Sequence, residues 1–190
     1  MRVLGISGSL RRDSYNSALL RAAAERLPAG VELVEFERLG EIPPYDTDLE
    51  IETTPGAVAA LRQAMRDADA VLVATPEYNH SIPGQLKNAL DWASRPAGES
   101  ALAGTPAAVI GASTVMFGAV WAQAETRKVL GALGGRVIER ELPIPGAAER
   151  YADGEIELSP EQSEQLEEIL AELVAEVEER SGYEREGAAA

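Results

Sequence analysis

Two polar segments, each following an apolar run, hold the side chains able to do chemistry. The first is Ser7-Gly8-Ser9-Leu10-Arg11-Arg12-Asp13-Ser14-Tyr15-Asn16-Ser17. Its hydroxyls at Ser9, Ser14 and Ser17 can donate to phosphate oxygens, and Arg11 can pair with a dianion through charge-assisted hydrogen bonds. A helix pattern opening near Ser14 adds backbone N–H groups and a positive dipole end. This set suits a terminal phosphomonoester better than the bridging pyrophosphate of a dinucleotide. Gly5 and Gly8 are three apart with no third glycine in phase, so the dinucleotide fingerprint is missing. Helix capping alone would explain the serines, but neither the arginine nor the number of hydroxyls.

The second segment runs from Pro76 through Glu77, Tyr78, Asn79, His80 and Ser81 into Ile82-Pro83-Gly84. Tyr78 offers a flat aromatic edge, and Asn79 and the backbone offer amide donors and acceptors. A planar heterocycle with several N and C=O groups needs such partners. Glu77 and Tyr78 can also be read as surface turn residues, and His80 either stacks on a ring or points to solvent. Asn88, Asp91 and Trp92 fall on the following helix and are expected to pack it and support the loop. A third loop, Gly111 to Gly118, has small residues that allow close approach of backbone to a ligand, with Ser113 as its hydrogen-bonding member.

These loops need a scaffold that brings them to one edge, and the hydrophobic pattern supplies it. Apolar strands are expected at Arg2–Ile6, Val31–Phe36, Ala70–Thr75, Thr105–Gly111 and Arg136–Glu139. Helices are expected at Ser14–Leu27, Pro55–Asp67 (capped by Thr54), Pro83–Trp92, Gly118–Leu133 and Ser159–Arg180. Leu39–Thr54 reads as a long polar connection. Alternating strands and helices predict an α/β fold: a doubly wound five-stranded parallel sheet with helices on both faces. Only five strands fit, which favours the flavodoxin-like order 2-1-3-4-5 and a ligand crevice at the carboxyl ends of the strands. One domain is expected over residues 1–180, with a flexible tail at 181–190.

Composition removes several classes of chemistry. The 190 residues include no Cys and one His, His80. Thiol nucleophiles, disulfides and a multi-His metal site within one chain are excluded. A Ser-His-Asp hydrolase would have to use His80, and no Gly-x-Ser-x-Gly elbow surrounds Ser7 or Ser9. No catalytic side chain and no metal are therefore assigned, and the hard chemistry falls to a cofactor. A net charge of -15 argues against nucleic acid. Much of it lies between Glu161 and Glu179, a run that reads as a solvated helix face. No run reaches a membrane span. Met1 to Ile6 passes straight into a strand pattern, so no signal peptide and a cytoplasmic location are expected. The sequon Asn79-His80-Ser81 is read as chance.

The two motifs together resemble the NADPH-dependent FMN reductase family, a flavodoxin-like group that includes quinone, chromate and azo-dye reductases. The likeness rests on Gly8-Ser9-Leu10-Arg11 with Ser14-Tyr15-Asn16. It rests equally on Pro76-Glu77-Tyr78-Asn79 with Ser81, Pro83-Gly84, Leu86-Lys87-Asn88-Ala89 and Asp91-Trp92. It covers roughly Met1 to Leu142. The resemblance implies noncovalent FMN, NADPH or NADH as co-substrate, and two-electron transfer to a small-molecule acceptor such as a quinone. It implies Ser9, Arg11, Ser14 and Asn16 at the phosphate, and Glu77, Tyr78, Asn79 and Ser113 around the ring. Tyr15, Ser17, Pro76 and His80 complete the cofactor-binding set. It also implies a homodimer or homotetramer with the flavin near the interface. Val115 stands where such proteins usually carry Gly, and Trp121 where a basic residue is common. The competing expectation is a flavodoxin-type carrier of single electrons to protein partners, which strong acidity would suit.

Overall fold

The computed structural model describes residues 1–188, with side chains as far as Ser181. The strands are β1 (Arg2–Ser7), β2 (Glu32–Glu35), β3 (Ala70–Ala74), β4 (Pro106–Ala112), β5 (Arg136–Val137), β6 (Pro143–Ile144), β7 (Tyr151–Ala152) and β8 (Glu155–Ile156). The helices are α1 (Tyr15–Ala24), α2 (Thr47–Glu52), α3 (Gly56–Arg66), α4 (Gly84–Ala93), α5 (Val120–Ala132) and α6 (Pro160–Ala188). The main sheet is parallel in the order β2-β1-β3-β4-β5, as the strand count predicted, with β6 also paired to β4.

The central strands are buried along their length because helices cover both faces. Their side chains alternate between two cores. Val71, Val73 and Val109 pack with Leu61 and Met65 of α3 and with Leu86, Leu90 and Trp92 of α4. Val3, Leu72 and Ile110 pack with Leu19 and Leu20 of α1 and with Leu166, Ile169 and Leu173 of α6. The sheet therefore holds the ends of β1, β3 and β4 side by side, with the loops that follow them on one edge.

Several elements differ from the sequence reading. The expected fifth strand, Arg136–Glu139, is shorter and ends at Val137. Ile138 still donates its N–H to Ala107 O at 2.9 Å. The charged run 139–141 then leaves the ladder, and the chain rejoins β4 at β6. Buried Gln123 covers the gap: its amide accepts from Leu142 N at 3.0 Å and donates to Leu142 O at 3.2 Å. The connection 39–54 is not irregular. It contains a 3-10 turn at Leu39–Glu41 and α2, which Asp46 caps by accepting from Asp48 N at 2.9 Å. None of α2 is buried, so it carries no apolar period for a sequence reading to find. Thr54 does not cap α3; Pro55 holds the cap position, with no side-chain bond. Ser159 does cap α6. Its hydroxyl accepts from Gln162 N at 3.2 Å while Gln162 Oε1 accepts from Ser159 N at 3.0 Å, a reciprocal capping box.

The acidic face of α6 is not purely solvated. Arg140 contacts Glu168 and Glu172 at 2.7 and 2.6 Å, and Arg136 contacts Glu176 at 2.5 Å. Exposed pairs of this kind add little stability. The tail expected at 181–190 lies, beyond Ser181, outside the residues whose side chains are described.

Candidate active site

The loop after β1 is drawn tightly against the start of the β3–α4 loop. Gly8 donates its N–H to Ala74 O at 2.8 Å. A Cβ on Gly8 would stand 3.0 Å from Leu86 Cδ2 and 3.2 Å from Pro76 Cδ, so only glycine permits this approach without displacement. Beyond it Ser9 is half-buried and Arg11 is exposed, with its guanidinium 4.9 Å from the Tyr15 ring centre. Ser14 is buried and caps α1 by accepting from Ser17 N at 3.2 Å. Helix geometry leaves the N–H groups of Tyr15 and Asn16 without intrahelical acceptors. Ser9, Arg11 and the first residues of α1 thus line one cleft at the helix N-terminus that Ser14 caps.

Two of the expected side chains are engaged elsewhere. Asn16 is buried, donates Nδ2–H to Ala112 O at 3.0 Å and accepts from Ala112 N at 2.9 Å. Its amide is a strut from α1 to the end of β4. The Ser17 hydroxyl donates to Glu35 Oε1 at 2.9 Å, on the β2 side. Burial pushes the Glu35 carboxyl above its ordinary pKa, and the Ser17 bond opposes that shift.

After β3, Tyr78 and Ser81 exchange backbone hydrogen bonds at 3.1 and 3.2 Å. Between them Asn79 (φ 53°) and His80 (φ 61°) both lie in the left-handed region. This is a two-residue hairpin of the I′ kind. It leaves Tyr78 half exposed over the crevice. His80 is largely exposed and meets Trp121 edge-on, with centroids 4.9 Å apart. Pro76 is buried at the base. The Glu77 side chain lines the cleft but is only 3% exposed, with Oε1 3.5 Å from His80 Nδ1. Its Oε2 accepts from Trp121 N at 3.1 Å and Ala122 N at 3.2 Å, at the start of α5. In the third loop Ser113 is buried at the end of β4, and its hydroxyl accepts from Val115 N at 3.4 Å. Asn88 and Trp92 support the scaffold as expected, both donating to Pro43 O at 2.8 Å.

These residues border two adjoining clefts. One of 130 Å³ is lined by Ser9, Arg11, Tyr15, Asn16, Glu77 and Ser113 among others. An apolar one of 320 Å³ is lined by Gly8, Leu10, Pro83, Gly84 and Gln85, and Arg11 and Tyr78 border both. A cationic, hydroxyl-rich corner beside a flat apolar slot is the shape of a phosphate ester attached to a planar ring. Among the described residues no cluster of His, Cys, Asp and Glu could hold a metal ion.

Residues 1–149 match the family described as NADPH-dependent FMN reductase. The chain belongs to that family. It is 42% identical over 166 residues to an NAD(P)H-dependent FMN reductase of Pseudomonas aeruginosa, covering 87% of this chain and 89% of that protein. It is 41% identical over 149 residues to a quinone reductase of Pseudomonas putida, covering 78% and 80%. The flavoenzyme NAD(P)H:(acceptor) oxidoreductase FerB of Paracoccus denitrificans superposes with a TM-score of 0.81 at 35% identity, covering 94% of this chain and 97% of that one. The family is one of oxidoreductases, which favours the enzyme over the electron carrier that acidity alone left open.

The residues fit the cofactor that the family name implies. The corner offers neutral donors and a cation, and the one carboxylate that lines it, Glu77, is held by Trp121 N and Ala122 N. Glu125 of α5 is the participant that sequence reasoning missed. It accepts from Ser81 Oγ at 2.5 Å and Ile82 N at 3.2 Å, and these two bonds hold its carboxyl below the ordinary range. No local motif marks it, since it lies 44 residues from Ser81.

Proposed function

We propose that this protein is an NAD(P)H-dependent FMN reductase that passes two electrons to a quinone or a similar small acceptor. The observation that carries the reading is the corner where Ser9, Arg11, Ser14 and the first N–H groups of α1 meet the slot beneath Tyr78. Ser9, Ser14 and Arg11 would hold the phosphate, together with the backbone at Tyr15 and Asn16. Tyr78, Asn79 and Ser113 would border the ring, with Pro76 beneath them. When bound, FMN supplies the two-electron chemistry, accepting from a reduced nicotinamide and donating to the acceptor. The chain's own residues bind and orient it. No side chain here is placed as an acid, base or nucleophile.

The same reading includes a cytoplasmic enzyme, where reduced nicotinamides are supplied, and a homodimer or homotetramer. Val115, Met116, Phe117 and Trp121 form an exposed apolar patch beside the crevice, with Met116 75% exposed. Patches of this kind often mark interfaces. Among the described residues no helix is long and apolar enough to cross a membrane.

The test begins with the purified protein. Flavin released on denaturation should be FMN at one per chain, and NADPH oxidation should rise sharply when a quinone is added. Arg11→Ala should weaken FMN binding on the order of tenfold, because a charge-assisted contact to a dianion is lost. Equal affinity in mutant and parent would refute the assignment of Arg11. Absence of FMN binding by the parent would refute the function.

A further inference from the structure

We propose that Glu77 and Glu125 are positioning residues. They clamp the Tyr78–Ser81 hairpin to α5 and so set the place of Tyr78 at the flavin crevice. The inference rests on the proposed FMN site but concerns carboxylates whose hydrogen bonds go to the protein itself.

The two carboxylates bracket the hairpin in opposite directions. Glu77, just before it, reaches out to α5 and accepts from Trp121 N and Ala122 N at 3.1 and 3.2 Å. Glu125, on α5, reaches back and accepts from Ser81 Oγ and Ile82 N, just after the hairpin, at 2.5 and 3.2 Å. Each satisfies groups the other element cannot satisfy for itself. The residue preceding α5 is Ala119, at φ 64°, which has no side chain able to cap the helix. A carboxylate from another loop therefore does the work of an N-cap.

The hairpin needs such support. Asn79 and His80 both hold left-handed backbone without being glycine. Conformations of this kind persist only where the surroundings over-determine them. The two residues have no buried side chain to anchor them, as both are exposed. Besides the edge contact of His80 with Trp121 and its approach to Glu77 Oε1, what fixes the turn is the pair of carboxylate links at its ends. Tyr78 lies between those links and borders both clefts. Loss of either link frees the turn and lets Tyr78 leave the crevice edge.

The test uses the full chain, with FMN as the probe. Glu125→Ala should speed amide exchange at Tyr78 and Ser81 in the FMN-free protein by on the order of tenfold, while core amides keep their protection. It should also weaken FMN binding by about tenfold and change the visible circular dichroism of the bound flavin. Glu125→Gln should restore all three, because one amide oxygen can accept both bonds that Glu125 Oε2 now accepts. Ser81→Ala cuts the hydroxyl link from the other side and serves if Glu125→Ala fails to fold. Parental exchange and parental affinity in the Ala variants would overturn the proposal. A lower melting temperature with unchanged affinity and dichroism would also overturn it, since the link would then be structural only. If the parent itself fails to bind FMN, the functional reading falls, and the exchange measurement still decides whether the clamp holds the turn.

Discussion

Replacing Asn16 separates a strut from a ligand. The Asn16 amide is spent on the two backbone groups of Ala112, at 3.0 and 2.9 Å, and the residue is 2% exposed. Asn16→Ala leaves the Ala112 N–H and C=O buried and unpaired. Each such group costs roughly 1–3 kcal/mol, and some relaxation or entry of water is expected, so the loss should be about 2–4 kcal/mol. For a domain of this size that lowers the melting temperature by roughly 4–16 °C. The assay is thermal or urea unfolding of FMN-free protein, read by circular dichroism. Asn16→Asp sharpens it. The acid keeps an acceptor for Ala112 N–H but sets a carboxylate against Ala112 O. Its folded pKa should then be raised, so stability is fullest at low pH and is lost as pH rises through that pKa. A melting temperature for Asn16→Ala within about 1 °C of the parent would refute the strut, on the same scaling. Lost FMN affinity at unchanged stability would return the Asn16 side chain to the phosphate.

Two further outcomes are expected. Burial raises the half-buried Glu35 carboxyl above its unfolded pKa, so the folded state binds that proton more tightly. Stability from this group is present below the unfolded pKa and is lost as pH rises through the folded one. Glu35→Gln should flatten that part of the pH–stability curve, and a curve identical to the parent's would show that Glu35 does not cause it. For assembly, light scattering at micromolar concentration should give a dimer or tetramer mass. Charges placed by Met116→Glu and Phe117→Glu should shift it to monomer, whereas a fully active parental monomer would remove the patch from consideration as an interface.

The scaffold was legible because its signals are local. Ala70 to Ala74 and Pro106 to Ala112 are continuous apolar runs bounded by polar turns, as strands buried on both faces must be. Ser159-Pro160-Glu161-Gln162 carries a helix start within four residues. What was hidden depends on partners far along the chain. Gln123 reads as one more polar residue on a helix, yet it takes up Leu142 N and shares Leu142 O with Gly111 N of β4. Glu139 reads as strand because Arg136 to Ile138 does, and nothing nearby reveals that the next residue, Arg140, is drawn off to Glu168 and Glu172 on α6.

The site shows the same division at finer scale. The residue types in the first loop suggest an anion corner, but type alone does not say which polar groups remain free after folding. Ser14, Asn16 and Ser17 look alike as donors. One caps α1, one ties α1 to β4, and one turns to Glu35. Glu77 looked like a ring neighbour because it lies between Pro76 and Tyr78, yet its carboxylate is needed at Trp121 and Ala122. A buried acid finds the nearest orphan N–H groups, and here those belong to a helix whose preceding residue is alanine. Much of the motif therefore builds the walls of the crevice, and fewer of its polar groups line the clefts without such a tie: Arg11, the Ser9 hydroxyl, the first turn of α1 and Tyr78.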